Sequence, residues 1–420
     1  MDQSAEIICV GTELLLGDIL NSNAQYLAQQ LAQLGIPHYY QTVVGDNPNR
    51  IQRAIAIACE RSRLLIFTGG LGPTPDDLTT ETLADFFGEP LIERPEIIAD
   101  LHQKFTQRGR NLSPSNLKQA LLPETAQTLP NPLGSAPGII WEPRSGLTIL
   151  TFPGVPKEMV AMWEQTAVPY LKQHGWSKTT IYSRILRHWG IGEATLADKI
   201  RPFFDCDNPT VAPYAGEGEV RLRLSAKATS EVEAQALIAP VEQELRDIIG
   251  EDCYGADTDS LSSVVGQQLI VRNETLAVAE SCTAGGLGHQ ITTTPGSSAY
   301  FLGGVISYSN AIKIQLLNVQ DLDLTQYGAV SHPVARQMAL GVRDRLGSSW
   351  GLSITGIAGP EGGTEEKPVG LVYIGIAGPD NHLSSNEYRL STYRGREWIR
   401  WLSICTALDQ LRRLLNTKLK

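Results

Sequence analysis

Apolar and polar positions follow two different periods along the first 170 residues. The run 5–10 (AEIICV) is apolar except for Glu6, which indicates a buried strand, and 22–34 shows the three- and four-residue spacing of an amphipathic helix. The alternation continues with a strand at 38–44, a helix at 50–60, an apolar run at 64–67, a helix after Asp77, and strands at 138–140 and 147–152. Because strands alternate with helices, this part of the chain predicts a parallel sheet flanked by helices.

The pattern changes near residue 171 and again near residue 256. Between these points strand, helix, strand and helix follow one another, and charged residues alternate with apolar ones over 219–228. This predicts a small α+β module whose sheet has one wet face. Beyond it, a helix at 261–272 and a strand at 276–280 begin another α/β segment. We therefore predict an α/β chain of three domains, with bounds at 1–170, 171–256 and 257–420.

Composition and charge narrow the class of protein. The 420 residues are 42% apolar and 19% charged, with a formal net charge of −10, and this acidic balance disfavours nucleic-acid binding. No apolar run approaches the roughly 18–20 residues of a membrane helix, and the first residues lack the basic start of a signal peptide. The six cysteines are scattered without a C-x-x-C pair, which predicts reduced thiols in a cytoplasmic protein and disfavours a structural zinc site.

A serine follows the strand 276–280 directly, in the segment SCTAGG (281–286). At a strand-to-helix turn, free backbone N–H groups and the positive end of the helix stabilise an oxyanion, so Ser281 is a candidate nucleophile. Alternatively, Ser281 only caps the helix, which is the common role of serine at such a turn. Cys282 is a rival nucleophile, although as the next residue it points elsewhere and suits a buried apolar role.

A serine nucleophile needs a base, and the next segment supplies a candidate. Lys313 ends the stretch GGVISYSNAIK, with Tyr308 five residues earlier. A desolvated lysine is a base at neutral pH, and a tyrosine can relay a proton. Taken separately, Lys313 is equally explained as a surface lysine and Tyr308 as a half-buried core aromatic.

A glycine-rich loop follows the strand near residue 353. The segment SITGIAGPEGGTEEKPVG contains Thr355, Gly356 and Gly359, and its glycines and hydroxyls suit a nucleotide phosphate or ribose. Arg396 and Arg400 come later and offer positive charge for a phosphate. The alternative is that both arginines only cover a helix surface.

Three segments near strand ends stand out in the N-terminal third. The first is TGGLGPTPDD (68–77), where glycines allow an anionic ligand to approach the backbone and Asp76 and Asp77 can hold Mg²⁺ or a similar hard cation. Alternatively, Asp77 is only the N-cap of the next helix. The other two segments contain Gly11, Thr12, Glu13, Asn23, Pro153, Gly154 and Glu158.

In their order along the chain, the C-terminal motifs AESCTAGG, YSNAIK, GAVS, SITGIAGPEGGTEEKPVG and a late arginine closely resemble the C-terminal domain of the CinA family over 258–415. That domain is the PncC-type nicotinamide-nucleotide amidase. The resemblance implies hydrolysis of nicotinamide mononucleotide to the nicotinic acid nucleotide and ammonia without a cofactor. It makes Ser281 the nucleophile, Lys313 the base and Tyr308 a proton relay. The implied substrate-binding or supporting residues are Thr283, Gly285, Gly286, Thr355, Gly356, Gly359 and Arg396. The chain departs from the family pattern at Ala284 and at RGR (394–396), which replaces GDR.

The N-terminal segments resemble the molybdopterin-binding fold of MoaB/MogA-like proteins, in its CinA version, over roughly 5–170. The resemblance implies an ADP-ribose pyrophosphatase that depends on a divalent metal (Mg, Mn or Co). Asp76 and Asp77 would hold the metal, joined by Glu13 or Glu158. The implied substrate-binding residues are Thr12, Glu13, Asn23, Thr68, Gly69, Gly70, Gly72, Pro153 and Gly154.

The middle module resembles the linking domain of the same family, which is KH-like. It lacks a G-x-x-G loop with basic neighbours and is acidic, so RNA binding is disfavoured and a structural or dimerising role is favoured.

The leading hypothesis is therefore a bifunctional hydrolase of pyridine-nucleotide recycling, a cytoplasmic homodimer that binds small nucleotides and neither membrane nor nucleic acid. One alternative is a molybdenum-cofactor protein, which would bind molybdopterin and have no requirement for Lys313. The other is a non-catalytic interaction protein in competence or DNA uptake, whose partner binding would survive the loss of Ser281.

Overall fold

The computed structural model describes residues 4–176 and 180–417. The chain separates into two compact units, one of Met1–Ser183 with Ala226–Leu237, the other of Arg184–Ser225 with Ile238–Lys420. Most of the middle module therefore belongs to the same unit as the C-terminal third. No helix in the described ranges combines the length and apolar content needed to cross a bilayer.

The first unit contains a six-stranded sheet and a separate pair of short strands. Its strands are β1 (Ala5–Val10), β2 (His38–Val44), β3 (Leu64–Thr68), β4 (Leu91–Glu93), β5 (Leu121–Pro123), β6 (Gln127–Leu129), β7 (Gly138–Arg144) and β8 (Leu147–Phe152). Its helices are α1 (Thr12–Leu16), α2 (Ser22–Gln33), α3 (Pro48–Arg61), α4 (Thr79–Phe87), α5 (Pro95–Gln107), α6 (Pro156–Met162) and α7 (Val168–Gln173), with a π-turn at Trp163–Ala167 between the last two.

Strand order in this sheet is β2-β1-β3-β8-β7-β6, while β4 and β5 pair separately. Strands β2, β1, β3 and β8 are parallel, as the alternation predicts. The expectation of a parallel sheet is wrong at one edge, where β7 is antiparallel to both of its neighbours, β8 and β6. The reason is local: only two residues join β7 to β8, and the left-handed Gly146 (φ 77°) allows that tight turn.

Helices cover both faces of this sheet because successive strand residues point to opposite sides. Ile7 packs with Leu27 of α2 and Met159 of α6 on one face. Ile8, the next residue, packs with Ile51 of α3 on the other face. The sheet is therefore buried on both sides, and its loops at the carboxyl ends of the strands remain available for ligands.

The rest of the chain forms two further sheets. Its strands are β9 (Thr180–His188), β10 (Thr210–Gly216), β11 (Glu219–Ala228), β12 (Cys253–Ala256), β13 (Leu276–Glu280), β14 (Phe301–Ile306), β15 (Trp350–Gly356), β16 (Leu371–Ala377) and β17 (Leu383–Arg389). Its helices are α8 (Glu193–Lys199), α9 (Glu231–Ile249), α10 (Leu261–Arg272), α11 (Gly286–Thr292), α12 (Asn310–Leu317), α13 (Asp321–Tyr327), α14 (His332–Leu346) and α15 (Gly395–Thr417).

The middle module has a sheet in the order β10-β11-β9-β12. Along β11 the apolar Leu222 and Leu224 are buried while Arg223 between them is exposed, which confirms the predicted wet face. The C-terminal sheet has the order β14-β13-β15-β16-β17, in which β13 is parallel to both neighbours and the last two strands are antiparallel. Residues of both parts share one core, in which Trp189 and Tyr254 pack with Leu408 of α15.

Candidate functional site

Ser281 lies at the carboxyl end of β13, between strands β14 and β15. The chain leaves β13 to form β14 on one side and β15 on the other, and ligands bind at such switch points of α/β sheets. The backbone N–H of Ser281 donates to the carbonyl of Ile354 at 3.0 Å, which ties the serine to the end of β15.

Lys313 lies beside this serine. Its Nζ is 3.1 Å from Ser281 Oγ, 2.7 Å from the carbonyl oxygen of Ser307 and 3.2 Å from that of Tyr308. A neutral amine has two N–H groups and one lone pair. The two carbonyls can take both N–H groups, which leaves the lone pair directed at the Ser281 hydroxyl. The geometry therefore suits a base and its nucleophile.

Burial shifts the pKa values of Lys313 and Cys282 in opposite directions. The Lys313 side chain is only 1% exposed, and this desolvation lowers its pKa to about 8. Cys282 is 5% exposed, and burial raises the pKa of its thiol to about 11. The thiol therefore stays protonated and unreactive near neutral pH, whereas a useful fraction of Lys313 is neutral.

The turn after Ser281 differs from the expectation. Helix α11 begins only at Gly286, and its N-cap is Gly285 without a side-chain cap bond, so the alternative that Ser281 caps the helix is wrong. The buried carboxylate of Glu280 instead accepts from the N–H groups of Gly285, Leu287 and Gly288 at 2.9–3.0 Å. The helix N-terminus is thus already paired, and the prediction that it stabilises the oxyanion needs correction.

Several predicted binding residues hold the backbone around the serine. Thr283 is buried, and its carbonyl accepts from Arg400 Nη2 at 2.8 Å. Thr355 is buried at the end of β15 and donates from Oγ1 to the carbonyl of Ala329 at 2.8 Å. Two of the glycines allow close packing: a Cβ would lie 2.8 Å from Ile404 Cδ1 at Gly286 and 2.7 Å from Val372 Cγ2 at Gly356.

Arg396 contacts two other predicted residues, Gly359 and Tyr308, beside the pair formed by Ser281 and Lys313. Its Nη1 donates to the carbonyl of Gly359 at 2.6 Å, and its Nη2 lies 3.5 Å from Tyr308 Oη. The Tyr308 side chain is 62% exposed. Lys313 therefore contacts the Tyr308 carbonyl while the hydroxyl meets Arg396, and the relay role of Tyr308 stays a prediction.

The N-terminal motifs converge on a cavity of about 570 Å³. Of the predicted residues, those that line it are Glu13, Gly69, Gly70, Gly72, Asp76, Asp77, Pro153, Gly154 and Glu158. The other three predicted residues, Thr12, Asn23 and Thr68, lie close to the cavity in the loops and strand that form it. Thr12 donates to Asp46 at 2.8 Å, Asn23 Nδ2 donates to the carbonyl of Gly154 at 2.8 Å, and Thr68 is buried at the end of β3.

Sequence reasoning missed some lining residues, among them Ile19, Asp46, Gln119 and Ser135. They lie outside the glycine-rich motifs, and Gln119 and Ser135 come from distant segments. At Gly69 (φ 96°) a Cβ would lie 2.1 Å from the carbonyl oxygen of Val10, so only glycine allows this close approach of two loops.

The cavity carboxylates have protein partners. Asp77 accepts from the backbone N–H of Thr74 at 2.9 Å, which closes the turn, and the N-cap of α4 is Leu78, so Asp77 is not that cap. Glu158 accepts from Asn131 Nδ2 at 2.7 Å. Within 4–176 and 180–417, no three His, Cys, Asp or Glu side chains form a cluster that could hold a metal alone. A metal ion bound in this cavity would therefore need substrate phosphates or water among its ligands, as Mg²⁺ commonly has.

Comparison with known proteins identifies all three parts of the chain. Family models match in order: the probable molybdopterin binding domain (6–173), the damage-inducible protein CinA KH domain (183–255) and the CinA C-terminal domain (258–415). A CinA-like protein from Cyanothece sp. is 66% identical over 417 residues, which covers 99% of this chain and 100% of that protein. Another, from Nostoc punctiforme, is 66% identical over 415 residues with the same coverage.

Among solved structures, the competence/damage inducible protein CihA from Agrobacterium tumefaciens shares 35% identity, covers 38% of this chain and 97% of its own, and has a TM-score of 0.35. The identity of the full-length relatives decides the assignment. With its molybdopterin-binding-like, KH and C-terminal domains in this order, the chain belongs to the CinA-like protein family.

Proposed function

We propose that the C-terminal domain hydrolyses nicotinamide mononucleotide to nicotinic acid mononucleotide and ammonia. The main support is the buried Lys313 Nζ at 3.1 Å from Ser281 Oγ, with two carbonyls placed for its N–H groups. A serine paired with a lysine of lowered pKa is a nucleophile and base suited to amide hydrolysis. The exposed Arg396 beside the glycine loop suits the substrate phosphate.

The reaction follows from these positions. Ser281 Oγ attacks the amide carbon while neutral Lys313 accepts the hydroxyl proton. We assign the oxyanion to the backbone N–H of Thr283, which donates to no backbone acceptor within the described residues. The Lys313 ammonium then protonates the amide nitrogen, and ammonia leaves. Water, deprotonated by Lys313, then attacks the ester, Lys313 returns that proton to the departing Ser281 Oγ, and the carboxylate product is released.

A substrate comparison tests this proposal. We expect the full chain to release ammonia and nicotinic acid mononucleotide from nicotinamide mononucleotide. Nicotinamide riboside lacks the phosphate, and free nicotinamide also lacks the ribose, so both should react more slowly. Equal rates with all three amides would contradict a nucleotide site.

The pH dependence of this activity should report the ionisation of Lys313. Since its pKa is lowered to about 8, the neutral base is scarce below this pH and dominant above it. About one molecule in ten is neutral at pH 7, so kcat/KM should rise about fivefold from pH 7 to 8 and less than twofold from pH 8 to 9. Initial rates in constant-ionic-strength buffers measure this. A flat profile from pH 6 to 9 would exclude Lys313 as the base.

Arg396→Ala should weaken binding of the phosphate. Loss of a charged hydrogen bond predicts a KM for nicotinamide mononucleotide raised about tenfold or more. The rate with nicotinamide riboside should change little, because that substrate has no phosphate. Arg394→Ala is the matched control, since Arg394 is also exposed and lies over Trp398. Equal effects of Arg396→Ala on both substrates would contradict the phosphate contact.

We also propose that the N-terminal domain hydrolyses ADP-ribose to AMP and ribose 5-phosphate. The support is one cavity that joins the glycine loop at Gly69 and Gly70 to the carboxylates of Asp76 and Asp77. A bound Mg, Mn or Co ion would supply charge for the diphosphate and a more acidic water. The glycine backbone would hold the diphosphate, and the two aspartates would hold the ion.

Asp76→Asn should lower metal-dependent AMP release from ADP-ribose roughly 10²-fold, because the amide loses the charge that holds the cation. Asp77 is a poorer target, because its carboxylate closes the turn by accepting from the backbone N–H of Thr74. Glu60→Gln, an exposed carboxylate change on α3, is the control. Full activity of Asp76→Asn at limiting metal would rule out its role. Binding of molybdopterin without AMP release would favour the cofactor-protein alternative.

The compartment and the assembly complete the proposal. All six cysteines are free thiols, which supports a location of the protein in the reducing cytoplasm. We keep the homodimer as a proposal, and sedimentation equilibrium of the intact chain tests it.

A further inference from the structure

Helix α15 contacts the backbone of the amidase site at two points near its start. Arg396 donates to the carbonyl of Gly359 at 2.6 Å. One turn later, Arg400 Nη2 donates to the carbonyl of Thr283 at 2.8 Å, within the turn that follows the nucleophile. Arg400 Nη1 also lies 2.8 and 2.9 Å from the carboxylate oxygens of Glu397. These protein partners engage Arg400, which was also a candidate for phosphate binding.

The next residue on the helix contacts the middle module. Trp401 Nε1 donates to the carbonyl of Glu217 at 2.9 Å. Glu217 and Gly218 form the two-residue turn of the β10–β11 hairpin, and both have positive φ (56° and 80°), as a tight hairpin turn of this kind needs. A Cβ on Gly218 would lie 2.8 Å from Leu402 Cδ2 and 3.2 Å from the Trp189 ring. The hairpin turn is thus packed directly on α15 beside Arg400.

The residue that follows the turn is also held by side chains of the middle module. Glu219, the first residue of β11, is buried and accepts from Tyr254 Oη at 2.7 Å and from Arg221 at 3.0 Å. Tyr254 and Trp189 share a hydrophobic core with Cys405 of α15. The hairpin is therefore part of the same packed core as the helix.

From these contacts we infer that the middle module positions the amidase nucleophile. Its hairpin turn holds α15 through Trp401, and Arg400 on that helix holds the carbonyl of Thr283 and with it the turn that carries Ser281. Arg400 and Trp401 are positioning residues, which act through Thr283. This inference rests on the proposed amidase function. It predicts effects mainly on kcat, because Arg400 contacts the turn that carries Ser281, whereas the phosphate-binding Arg396 has its own contact to the carbonyl of Gly359.

Steady-state kinetics of full-chain variants test the inference. Trp401→Phe removes the N–H donor, and Gly218→Ala strains the left-handed turn and presses it on Leu402. Each should lower kcat for nicotinamide mononucleotide about 3- to 10-fold, and Arg400→Ala about 10- to 100-fold, with KM within about twofold of wild type. Gly216→Ala is the matched control in the same hairpin, since its Cβ would meet nothing within 4 Å, and should leave kcat unchanged.

Hydrogen–deuterium exchange supplies a readout that needs no substrate. Amides of 281–288 should exchange faster in Trp401→Phe and Gly218→Ala than in wild type and Gly216→Ala. Unchanged exchange and unchanged kcat in both variants would overturn the inference, as would a raised KM at constant kcat. If wild type releases no ammonia, the proposed function fails, while the exchange comparison still decides whether the hairpin positions the turn.

Discussion

Lys313→Met is expected to lower kcat for ammonia release by roughly 10³-fold or more, within the range attributed to a general base and its nucleophile acting as a unit. Methionine is unbranched and of similar length, so it fills the same space. Its thioether does not accept the proton of Ser281. The hydroxyl 3.1 Å from Nζ would then attack without a base.

The same variant should remain folded, which separates chemistry from stability. Removing the amine leaves the carbonyls of Ser307 and Tyr308 without this donor, at a cost of about 1–3 kcal/mol. Burial of an apolar group in place of an amine that is only 1% exposed offsets part of this. Thermal unfolding checks the fold. Lys313→Arg should also be inactive because a guanidinium stays protonated. If either Lys313 variant kept more than a tenth of the wild-type kcat, the assignment of Lys313 as the base would be contradicted.

Ser281→Ala should lower kcat by a similar factor, because it removes the atom that forms the acyl-enzyme ester. The change is small structurally. The backbone bond from Ser281 to Ile354 stays, and Lys313 keeps both of its carbonyl acceptors. Binding of nicotinamide mononucleotide should persist and can be measured by calorimetry. Loss of binding together with activity would indicate collapse of the turn and would leave the nucleophile unproven.

The elements that bring Ser281 and Lys313 together could be predicted from the sequence. Strand β13 is a short apolar run before small residues, and the order of motifs placed Ser281 and Lys313 in neighbouring segments. That order favours a base over a surface lysine at Lys313. Its near-complete burial and its 3.1 Å distance to Ser281 depend on tertiary packing, which no local pattern reveals.

Glu280 shows where local reasoning failed. A glycine-rich segment after a strand usually leads directly into a helix, but the buried Glu280 takes three N–H groups and α11 starts five residues after Ser281. The only signal was a charged residue at the end of an otherwise apolar strand, LAVAE. A buried carboxylate needs such partners, so this residue could have been questioned from the sequence.

Long-range contacts explain the other omissions. Trp401 and Glu217 are 184 residues apart, and the cavity residue Gln119 lies outside every glycine-rich motif. Strand β7 departs from the predicted parallel sheet for a different reason: only two residues separate β7 from β8, which is too few for a parallel crossover. Attention to that short connection would have predicted the hairpin.

The most direct test of the central claim is ammonia release from nicotinamide mononucleotide by Ser281→Ala and Cys282→Ala, measured side by side on the intact chain. The two residues are adjacent, and the raised pKa of the Cys282 thiol argues against it as nucleophile. We predict that Ser281→Ala is inactive and that Cys282→Ala keeps kcat within about tenfold of wild type, as expected for a buried packing change. Activity retained by Ser281→Ala and lost by Cys282→Ala would contradict the account.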